Sequence, residues 1–216
     1  MVQITFFNIQ LDLVEVVGAA IGLAYLFFEY RASIWTWVFG VLMPVVYVWL
    51  FFRKGLYANM GINVYYIAAS VYGFVAWRRT MRQSAGVADS ETDQLPSGGQ
   101  VAIQSCPRRF FIPIVVITLL LAAALTFLLM QLKESQYPLL DGLTASLSMM
   151  MMYMLSRRWY QQWILCIVSE PLMMALGILT GMYATAVMYA IYLVVAVMGY
   201  IKWRRDYLLQ TTGGKQ

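Results

Sequence analysis

The stretch GLYANMGINVYYIAASVYGFVAWRR, residues 55–79, recurs 126 residues later as GMYATAVMYAIYLVVAVMGYIKWRR, residues 181–205. The two stretches align without a gap, and nine of their 25 positions are identical. Each is long enough to cross a bilayer as a helix, and each ends in Trp-Arg-Arg. The sequence therefore contains one structural unit twice, and we expect the fold to consist of two similar halves.

Apolar segments with the length of a membrane span surround both copies of the repeat. A span needs about 20 mostly apolar residues, and 62% of the 216 residues are hydrophobic while only 12% are charged. We predict an all-α membrane protein with seven transmembrane helices. They lie at roughly residues 11–30, 35–52, 58–77, 110–132, 139–156, 161–180 and 182–203.

The number of helices in each copy decides how the copies are arranged. Spans 1–3 and spans 5–7 are the copies, and because three is odd, one additional span between them is needed to keep them parallel. The sequence therefore predicts a 3+1+3 bundle with a pseudo-twofold axis along the membrane normal and a pathway at the repeat interface. The predicted parts are a first three-helix unit at 1–79, a flexible cytoplasmic loop at 80–109, a linker helix at 110–132, a second three-helix unit at 139–205 and a cytoplasmic tail at 206–216.

Lysine and arginine residues lie mainly on one side of the predicted membrane. Twelve of the 15 fall on the side where the first span ends, and only Arg53, Lys54 and Lys133 fall on the other side. The positive-inside rule then predicts a multi-pass protein of the cell (inner) membrane with its N-terminus outside and its C-terminus in the cytoplasm. The net charge of +5 is thus mainly an orientation signal, and we predict no nucleic-acid partner.

Several function classes lack the residues that they need. The chain has no histidine, no Walker motif and only two cysteines, Cys106 and Cys166, which fall in a polar loop and in a span. Histidine is the commonest general base and metal ligand. We therefore predict no enzymatic activity, no metal site and no cofactor.

A glutamate followed by proline, Glu170-Pro171, lies in the middle of the apolar segment 163–179. A charge at the bilayer centre opposes insertion by about 2.5–3.5 kcal/mol, so such a residue indicates a functional site. Pro171 has no N–H and disturbs the helix at the same depth. The repeat offset pairs Glu170 with Pro44, so both middle helices carry a proline near mid-membrane.

Helical spacing places polar and aromatic residues on single faces, which should point into the bundle because polar groups need partners in lipid. These residues serve either as interhelical hydrogen-bonding groups or as substrate contacts; the candidates are Asn63, Tyr66, Thr144, Tyr189 and Tyr192. Trp37 and Trp163 lie deep enough to be substrate contacts, whereas Trp35, Trp77, Trp159 and Trp203 are predicted interfacial anchors. Glu29 shares a face with Gly22 and Tyr25, but we expect solvent around it because it is close to a span end.

Five segments together resemble the PnuC-type vitamin transporters. They are residues 29–58, 70–79, 137–148, 156–171 and 181–203. The resemblance implies a 3+1+3 bundle related to the SWEET sugar transporters, and it suggests a homotrimer. It also implies facilitated diffusion of an unphosphorylated vitamin, which a cytoplasmic kinase afterwards traps.

The sequence departs from the nicotinamide riboside transporters of this family at presumed substrate contacts. Those proteins have Asn-Trp-x-x-Trp at the start of span 6, where this chain has Gln162-Trp163-Ile164-Leu165-Cys166. The family's glutamine in span 5 falls at Met152, and its aspartate in span 6 falls at or next to Glu170. Gln162 and Met152 therefore join the candidate substrate contacts. The departures favour thiamine, the substrate of the PnuT branch, with nicotinamide riboside or another B vitamin or nucleoside as the alternative.

Both vitamins carry a permanent aromatic cation, which aromatic faces attract by about 2 kcal/mol or more when it is desolvated. We expect Glu170 to neutralise this charge, the tryptophan and tyrosine rings to stack on it, and Asn63, Thr144 and Gln162 to offer hydrogen bonds. A non-transporting, substrate-binding membrane subunit is a rival interpretation.

Overall fold

The protein is described from a computed structural model, which covers residues 3–6, 9–87 and 101–213. A short antiparallel hairpin, β1 (Gln3–Phe6) and β2 (Ile9–Asp12), comes first. A 3-10 turn at Arg108–Phe110 precedes the fourth of the seven helices. The helices are α1 (Leu13–Tyr30), α2 (Trp35–Lys54), α3 (Tyr57–Val87), α4 (Phe111–Leu132), α5 (Pro138–Ser156), α6 (Gln162–Leu179) and α7 (Tyr183–Gly213).

The seven helices confirm the predicted all-α membrane fold. Six are long and apolar enough to cross a membrane, counted over the described residues, and α1 contributes an apolar portion at Ala20–Tyr30. The third and seventh helices run about ten residues beyond their predicted ends, to Val87 and Gly213. Extending an existing helix needs no new nucleation, so helices continue past the point where the apolar sequence stops.

The repeat is visible in the backbone as well as in the sequence. In each unit the middle helix, α2 or α6, packs against both of its neighbours, and the units meet where α3 contacts α5 and α1 contacts α7. The turns after α1 and α5 place Ala32 and Arg158, 126 residues apart, at φ values of 51° and 62°. The turns after α2 and α6 likewise place Gly55 and Gly181 at 71° and 75°.

A tryptophan lies against a glycine at the same place in both units. Trp163 covers Gly199, where an added Cβ would lie 2.6 Å from the indole ring, and Trp37 covers Gly73 in the same way. Each of these indoles also meets a tryptophan of the third helix of its unit: the ring centroids of Trp37 and Trp77 are 5.4 Å apart, and the Trp163–Trp203 pair is similar. Close packing at these positions requires glycine because any side chain would displace the ring.

The two units exchange hydrogen bonds at one end of the bundle. The indole N–H of Trp77 donates to the Ser156 carbonyl oxygen at 3.2 Å, and that of Trp203 donates to the Tyr30 carbonyl oxygen at 3.1 Å. Positions 30 and 156 are repeat mates, so each unit binds the end of the other unit's first helix. We call this end, where α1, α3, α5 and α7 finish, the Arg-rich end; it carries Arg31, Arg78, Arg79, Arg157, Arg158, Arg204 and Arg205.

The prediction of interfacial anchors was wrong for three tryptophans. Trp77 and Trp203 are fully buried and Trp159 is 6% exposed, whereas Trp35 is 54% exposed. An indole N–H can enter a packed interface when it finds a partner there. For Trp77 and Trp203 the carbonyl groups at the helix ends provide that partner.

Residues 101–107, which we call the strap, cross the Arg-rich end between the two units. The Val101 N–H donates to the Ala32 carbonyl oxygen at 3.2 Å, and the Gln104 N–H donates to the Arg158 carbonyl oxygen at 2.9 Å. Val101 and Ile103 are buried in the main core. The strap thus joins the equivalent turns of the two units.

The segment predicted as a flexible loop, residues 80–109, differs from that expectation at both of its ends. Residues 80–87 continue α3, and the strap is fixed by its apolar side chains and backbone hydrogen bonds. Cys106 is also buried, its N–H donates to the Gln161 side-chain oxygen at 2.9 Å, and burial raises the pKa of its thiol. Residues 88–100 lie outside the described residues.

Candidate functional site

A cavity of about 360 Å³ lies between the two units. Lining residues come from α1, α2, α3, α5, α6 and α7, while α4 contributes none among the described residues. Eight pairs of repeat mates face the cavity from opposite sides: Gly22 and Ser148, Tyr25 and Met151, Leu26 and Met152, Glu29 and Leu155, Gly40 and Cys166, Met43 and Ser169, Pro44 and Glu170, and Tyr66 and Tyr192. The cavity therefore surrounds the pseudo-twofold axis, where the repeat predicted a pathway.

Seven of the ten predicted substrate contacts line this cavity. They are Tyr66, Met152, Gln162, Trp163, Glu170, Tyr189 and Tyr192. Their helices lie close together because α3 contacts α5 and α7 contacts α1 where the units meet, and α6 packs against α5 and α7. Of the stripe residues, Tyr66, Tyr189 and Tyr192 point into the cavity.

The other three predicted contacts lie outside the cavity. Trp37 is buried between Gly73 and Trp77. The Asn63 amide donates to the Asn59 carbonyl oxygen at 2.8 Å, and the Thr144 hydroxyl donates to the Leu140 carbonyl oxygen at 2.8 Å. Both polar side chains donate to carbonyl groups of their own helices, which is neither the interhelical hydrogen bond nor the substrate contact that the sequence left open.

Glu170 places a carboxylate in the cavity without a protein partner. Its Oε2 atom is buried and forms no hydrogen bond with the described residues, and the indole Nε1 of Trp163 is in the same condition. Buried polar groups are nearly always hydrogen-bonded, so this unpartnered acceptor is a group that a ligand in the cavity can complete. The Trp163 donor is weaker support, because the Nε1 atom of Trp37, outside the cavity, is equally unpartnered across the described ranges. The helix α6 continues through Pro171, as α2 does through Pro44.

Glu29 is a second cavity carboxylate, and the prediction that solvent surrounds it was wrong. Glu29 is 5% exposed, and its Oε1 atom accepts a hydrogen bond from the Gln162 amide at 3.0 Å. Although Glu29 is close to the end of α1, the beginning of α6 covers it. Its position on the face of Gly22 and Tyr25 was the signal that could have identified it.

Gln162 and Glu170 mark two levels of the cavity along α6. Their separation of eight positions corresponds to about 12 Å of helix at 1.5 Å per residue. Glu29, through Gln162, belongs to the level of the Arg-rich end, and Glu170 lies deeper. A ligand that extends over this distance therefore meets both carboxylates.

The lining is acidic and aromatic. Glu29 and Glu170 are the acidic groups among the described lining residues, and no lysine or arginine is among them. Rings from Tyr25, Tyr189 and Trp163 stand beside them, with further tyrosines at positions 66 and 192. Aromatic faces and carboxylates both attract organic cations, so the site is suited to a positively charged ring.

Metal chemistry has no evident location in the described part of the chain. No group of three histidine, cysteine, aspartate or glutamate side chains is placed to hold an ion there. Both cysteines are free and buried, and Cys166 lines the cavity with its thiol 3.9 Å from the Gln162 side-chain oxygen. The side chains that line the cavity are therefore suited to binding a ligand.

Comparison with known proteins gives a consistent result. A family profile described as nicotinamide mononucleotide transporter matches residues 12–205. The nicotinamide riboside transporter PnuC of Escherichia coli is 24% identical over 205 residues, covering 90% of this chain and 86% of that protein. The protein of the same name from Neisseria mucosa is 24% identical over 196 residues, covering 88% and 71%. A crystal structure of the vitamin B3 transporter PnuC has a TM-score of 0.68 at 23% identity, covering 88% of this chain and 80% of that chain, and it confirms the fold.

Proposed function

The chain belongs to the nicotinamide mononucleotide transporter family, and from that premise we propose that it carries an unphosphorylated cationic vitamin through the cavity between its two units. Nicotinamide riboside is the first candidate, since the similar proteins of Escherichia coli and Neisseria mucosa bear its name. A volume of about 360 Å³ falls in the usual range of small-molecule sites, about 300–1,000 Å³.

The observation that carries this proposal is the charge of the lining. Glu29 and Glu170 face the cavity and no described lining residue is basic. A phosphate monoester brings up to two negative charges, which repel these carboxylates strongly in a desolvated site. A nucleoside with a positively charged ring fits the same groups, so the site favours nicotinamide riboside over its phosphorylated form.

Recognition divides between the two levels of the cavity. The pyridinium ring lies against Trp163 and the tyrosines, with the unpartnered Glu170 carboxylate close to its charge. The ribose hydroxyl groups bind the hydrogen-bonded pair Glu29 and Gln162. This assignment uses the free acceptor of Glu170 and gives the sugar both donors and acceptors.

Thiamine is a second candidate, and two lining residues favour it. Cys166 and Met152 face the cavity at positions where the resemblance places a tryptophan and a glutamine in the nicotinamide riboside transporters. Their replacement removes a stacking ring and an amide that would serve a riboside. Thiamine retains the charged ring but has no ribose, so it depends less on those groups.

Transport is proposed to proceed by facilitated diffusion, with access alternating as the units rock around Pro44 and Pro171. The Arg-rich end faces the cytoplasm in this proposal because of its excess of basic residues. A cytoplasmic kinase then phosphorylates the vitamin, which the acidic cavity no longer accepts. Assembly as a homotrimer remains part of the proposal on the strength of the resemblance.

Proteoliposomes with purified protein and no imposed gradient test the proposal. Labelled nicotinamide riboside should equilibrate across the membrane. Excess unlabelled riboside should slow its uptake, whereas excess nicotinamide mononucleotide should leave the uptake rate unchanged. Labelled thiamine in a parallel experiment ranks the second candidate. Binding of either vitamin without flux would support the non-transporting subunit, and flux no faster than in empty liposomes for both would contradict the proposal.

A further inference from the structure

A second cavity, of about 560 Å³, opens at the Arg-rich end between the beginning of α2 and the end of α3. Its apolar floor consists of Ile34, Val38, Phe74 and Met81. Its rim consists of Trp35, Arg78 and Arg82. We call it the rim cleft; it is separate from the cavity between the units and shares no lining residue with it.

The two rim arginines are free to bind an anion. Arg78 and Arg82 are one helical turn apart, so their side chains leave the same face of α3 about 5–6 Å from each other. Both are exposed, and neither forms an ion pair or hydrogen bond within the described ranges, where the ion pairs involve Lys202, Arg205 and Asp206. Two guanidinium groups in this arrangement suit one phosphate group, which they can bind through paired N–H donors.

The second unit fills the equivalent place with its own side chains. The repeat mates of Ile34, Phe74 and Met81 are three tyrosines, and the ring of Tyr160 lies 5.9 Å from that of Tyr200 and 5.6 Å from that of Tyr207. The mate of Arg82 is Leu208. One unit thus closes the space with aromatic rings, whereas the other leaves it open beneath two arginines.

The surroundings of the rim cleft identify the kind of occupant. Trp35 is 54% exposed at the start of a membrane-spanning helix, which is the usual position of an interfacial tryptophan. Val38, one turn further into α2, is 37% exposed at the floor. The occupant must therefore combine a negative group at the membrane surface with an apolar chain that extends into the bilayer.

We propose that the rim cleft binds an anionic phospholipid of the leaflet at the Arg-rich end. Its phosphate group binds Arg78 and Arg82, and one acyl chain covers Val38 and Phe74. Basic pockets between transmembrane helices bind lipid head groups in this way. The lipid occupies in the first unit the space that the tyrosines occupy in the second.

Native mass spectrometry of the delipidated, purified protein tests this site directly. The protein is titrated with dioleoylphosphatidylglycerol or dioleoylphosphatidylcholine, and the bound lipid is counted. The wild type should prefer the anionic lipid, and Arg78→Gln/Arg82→Gln should reduce this preference by about fivefold for each arginine. Thermal melting with the same lipids should show a larger rise in Tm with phosphatidylglycerol in the wild type but not in Arg78→Gln/Arg82→Gln.

A matched control is Arg79→Gln/Arg204→Gln, which removes two exposed arginines of the same end that do not line the cleft. This variant should keep the preference of the wild type. The proposal fails if the control loses the preference as well, if the wild type retains both lipids equally, or if inorganic phosphate alone reproduces the rise in Tm. It also fails if the Arg78→Gln/Arg82→Gln variant changes the oligomeric mass while the lipid preference stays, because the cleft would then contact a second copy of the chain.

Discussion

The middle helices α2 and α6 occupy equivalent positions but bring different chemistry to the cavity. Each contains a proline, and each carries in its first turn a tryptophan packed on a glycine of the third helix in its unit. Where both helices face the cavity, however, α2 offers small or apolar groups and α6 offers a thiol, a hydroxyl and a carboxylate. The paired residues are Gly40 and Cys166, Met43 and Ser169, and Pro44 and Glu170. The duplicated unit is therefore a scaffold, and binding groups are placed on it unequally.

The first unit compensates with a different helix. Its charge comes from Glu29 on α1, whose repeat mate Leu155 is apolar, and this carboxylate is held by Gln162 of the second unit. Each unit thus contributes one carboxylate, but from helices that are not equivalent. A ligand in the cavity therefore meets two carboxylates in different surroundings, which allows an unsymmetrical molecule to bind in one orientation.

Glu170→Gln should have the largest effect on this unequal arrangement. Removing one partner of a buried charge pair costs about 2–5 kcal/mol, so affinity for nicotinamide riboside should fall by at least about 30-fold. Isothermal titration calorimetry of the purified protein measures the change. Glu134→Gln, which removes a carboxylate outside the cavity, serves as the control and should leave Kd unchanged. Affinity equal to that of the wild type in Glu170→Gln would show that the carboxylate does not pair with the substrate.

The variants Gly73→Ala and Gly199→Ala distinguish an effect on helix packing from an effect on substrate binding. Each Cβ overlaps a buried indole, and overpacking of this kind costs about 1–3 kcal/mol, so both variants should melt at lower temperature by similar amounts. Only Gly199→Ala should also weaken substrate binding, because Trp163 lines the cavity and Trp37 does not. Equal loss of affinity in both variants would mean that the two halves contribute alike to the site.

Trp77→Phe and Trp203→Phe test whether the exchanged hydrogen bonds are equivalent. Each change removes one donor to the opposite unit and should lower stability by about 1 kcal/mol. The measurement is the Tm of each variant and of the double variant in one detergent. Clearly different shifts for the two single variants would show that the two sides of the interface are not energetically equivalent.

Glu134→Gln should give the smallest change in Tm. It tests an asymmetry at the end of the bundle opposite the Arg-rich end. The Glu134 carboxylate, just after α4, accepts hydrogen bonds from the backbone N–H groups of Ala58 at 2.9 Å and Asn59 at 3.1 Å, which begin α3. A charge at a helix N-terminus contributes about 0.3–1 kcal/mol, so the loss of Tm should be small. Salt should reduce the difference between variant and wild type, and a difference that is unchanged by salt would exclude this electrostatic origin.

The sequence predicted the fold well because hydrophobic length and the repeat are properties of whole segments. It predicted the helix faces that carry Tyr66, Tyr189 and Tyr192 because spacing along a helix determines a face. Spacing does not determine what lies opposite that face. Trp37 and Trp163 are equivalent in sequence, yet only Trp163 reaches the cavity.

Two further features depended on contacts between distant segments. Glu29 is buried by the beginning of α6, more than a hundred residues away, so its distance from the span end was a poor guide to its exposure. The strap appeared in the sequence as part of a polar connection. Its apolar residues Val101 and Ile103 find their partners only when the turns of both units come together.

The strap also acts as a tether of known length. Its two anchoring N–H groups belong to Val101 and Gln104, three residues apart, and three residues of fully extended chain span at most about 10–11 Å. While both anchors hold, the turns at Ala32 and Arg158 cannot separate beyond the reach of this short piece of backbone and its two hydrogen bonds. The largest separation of these two turns is therefore limited by three residues of backbone and two hydrogen bonds, and any wider separation begins with the release of one anchor.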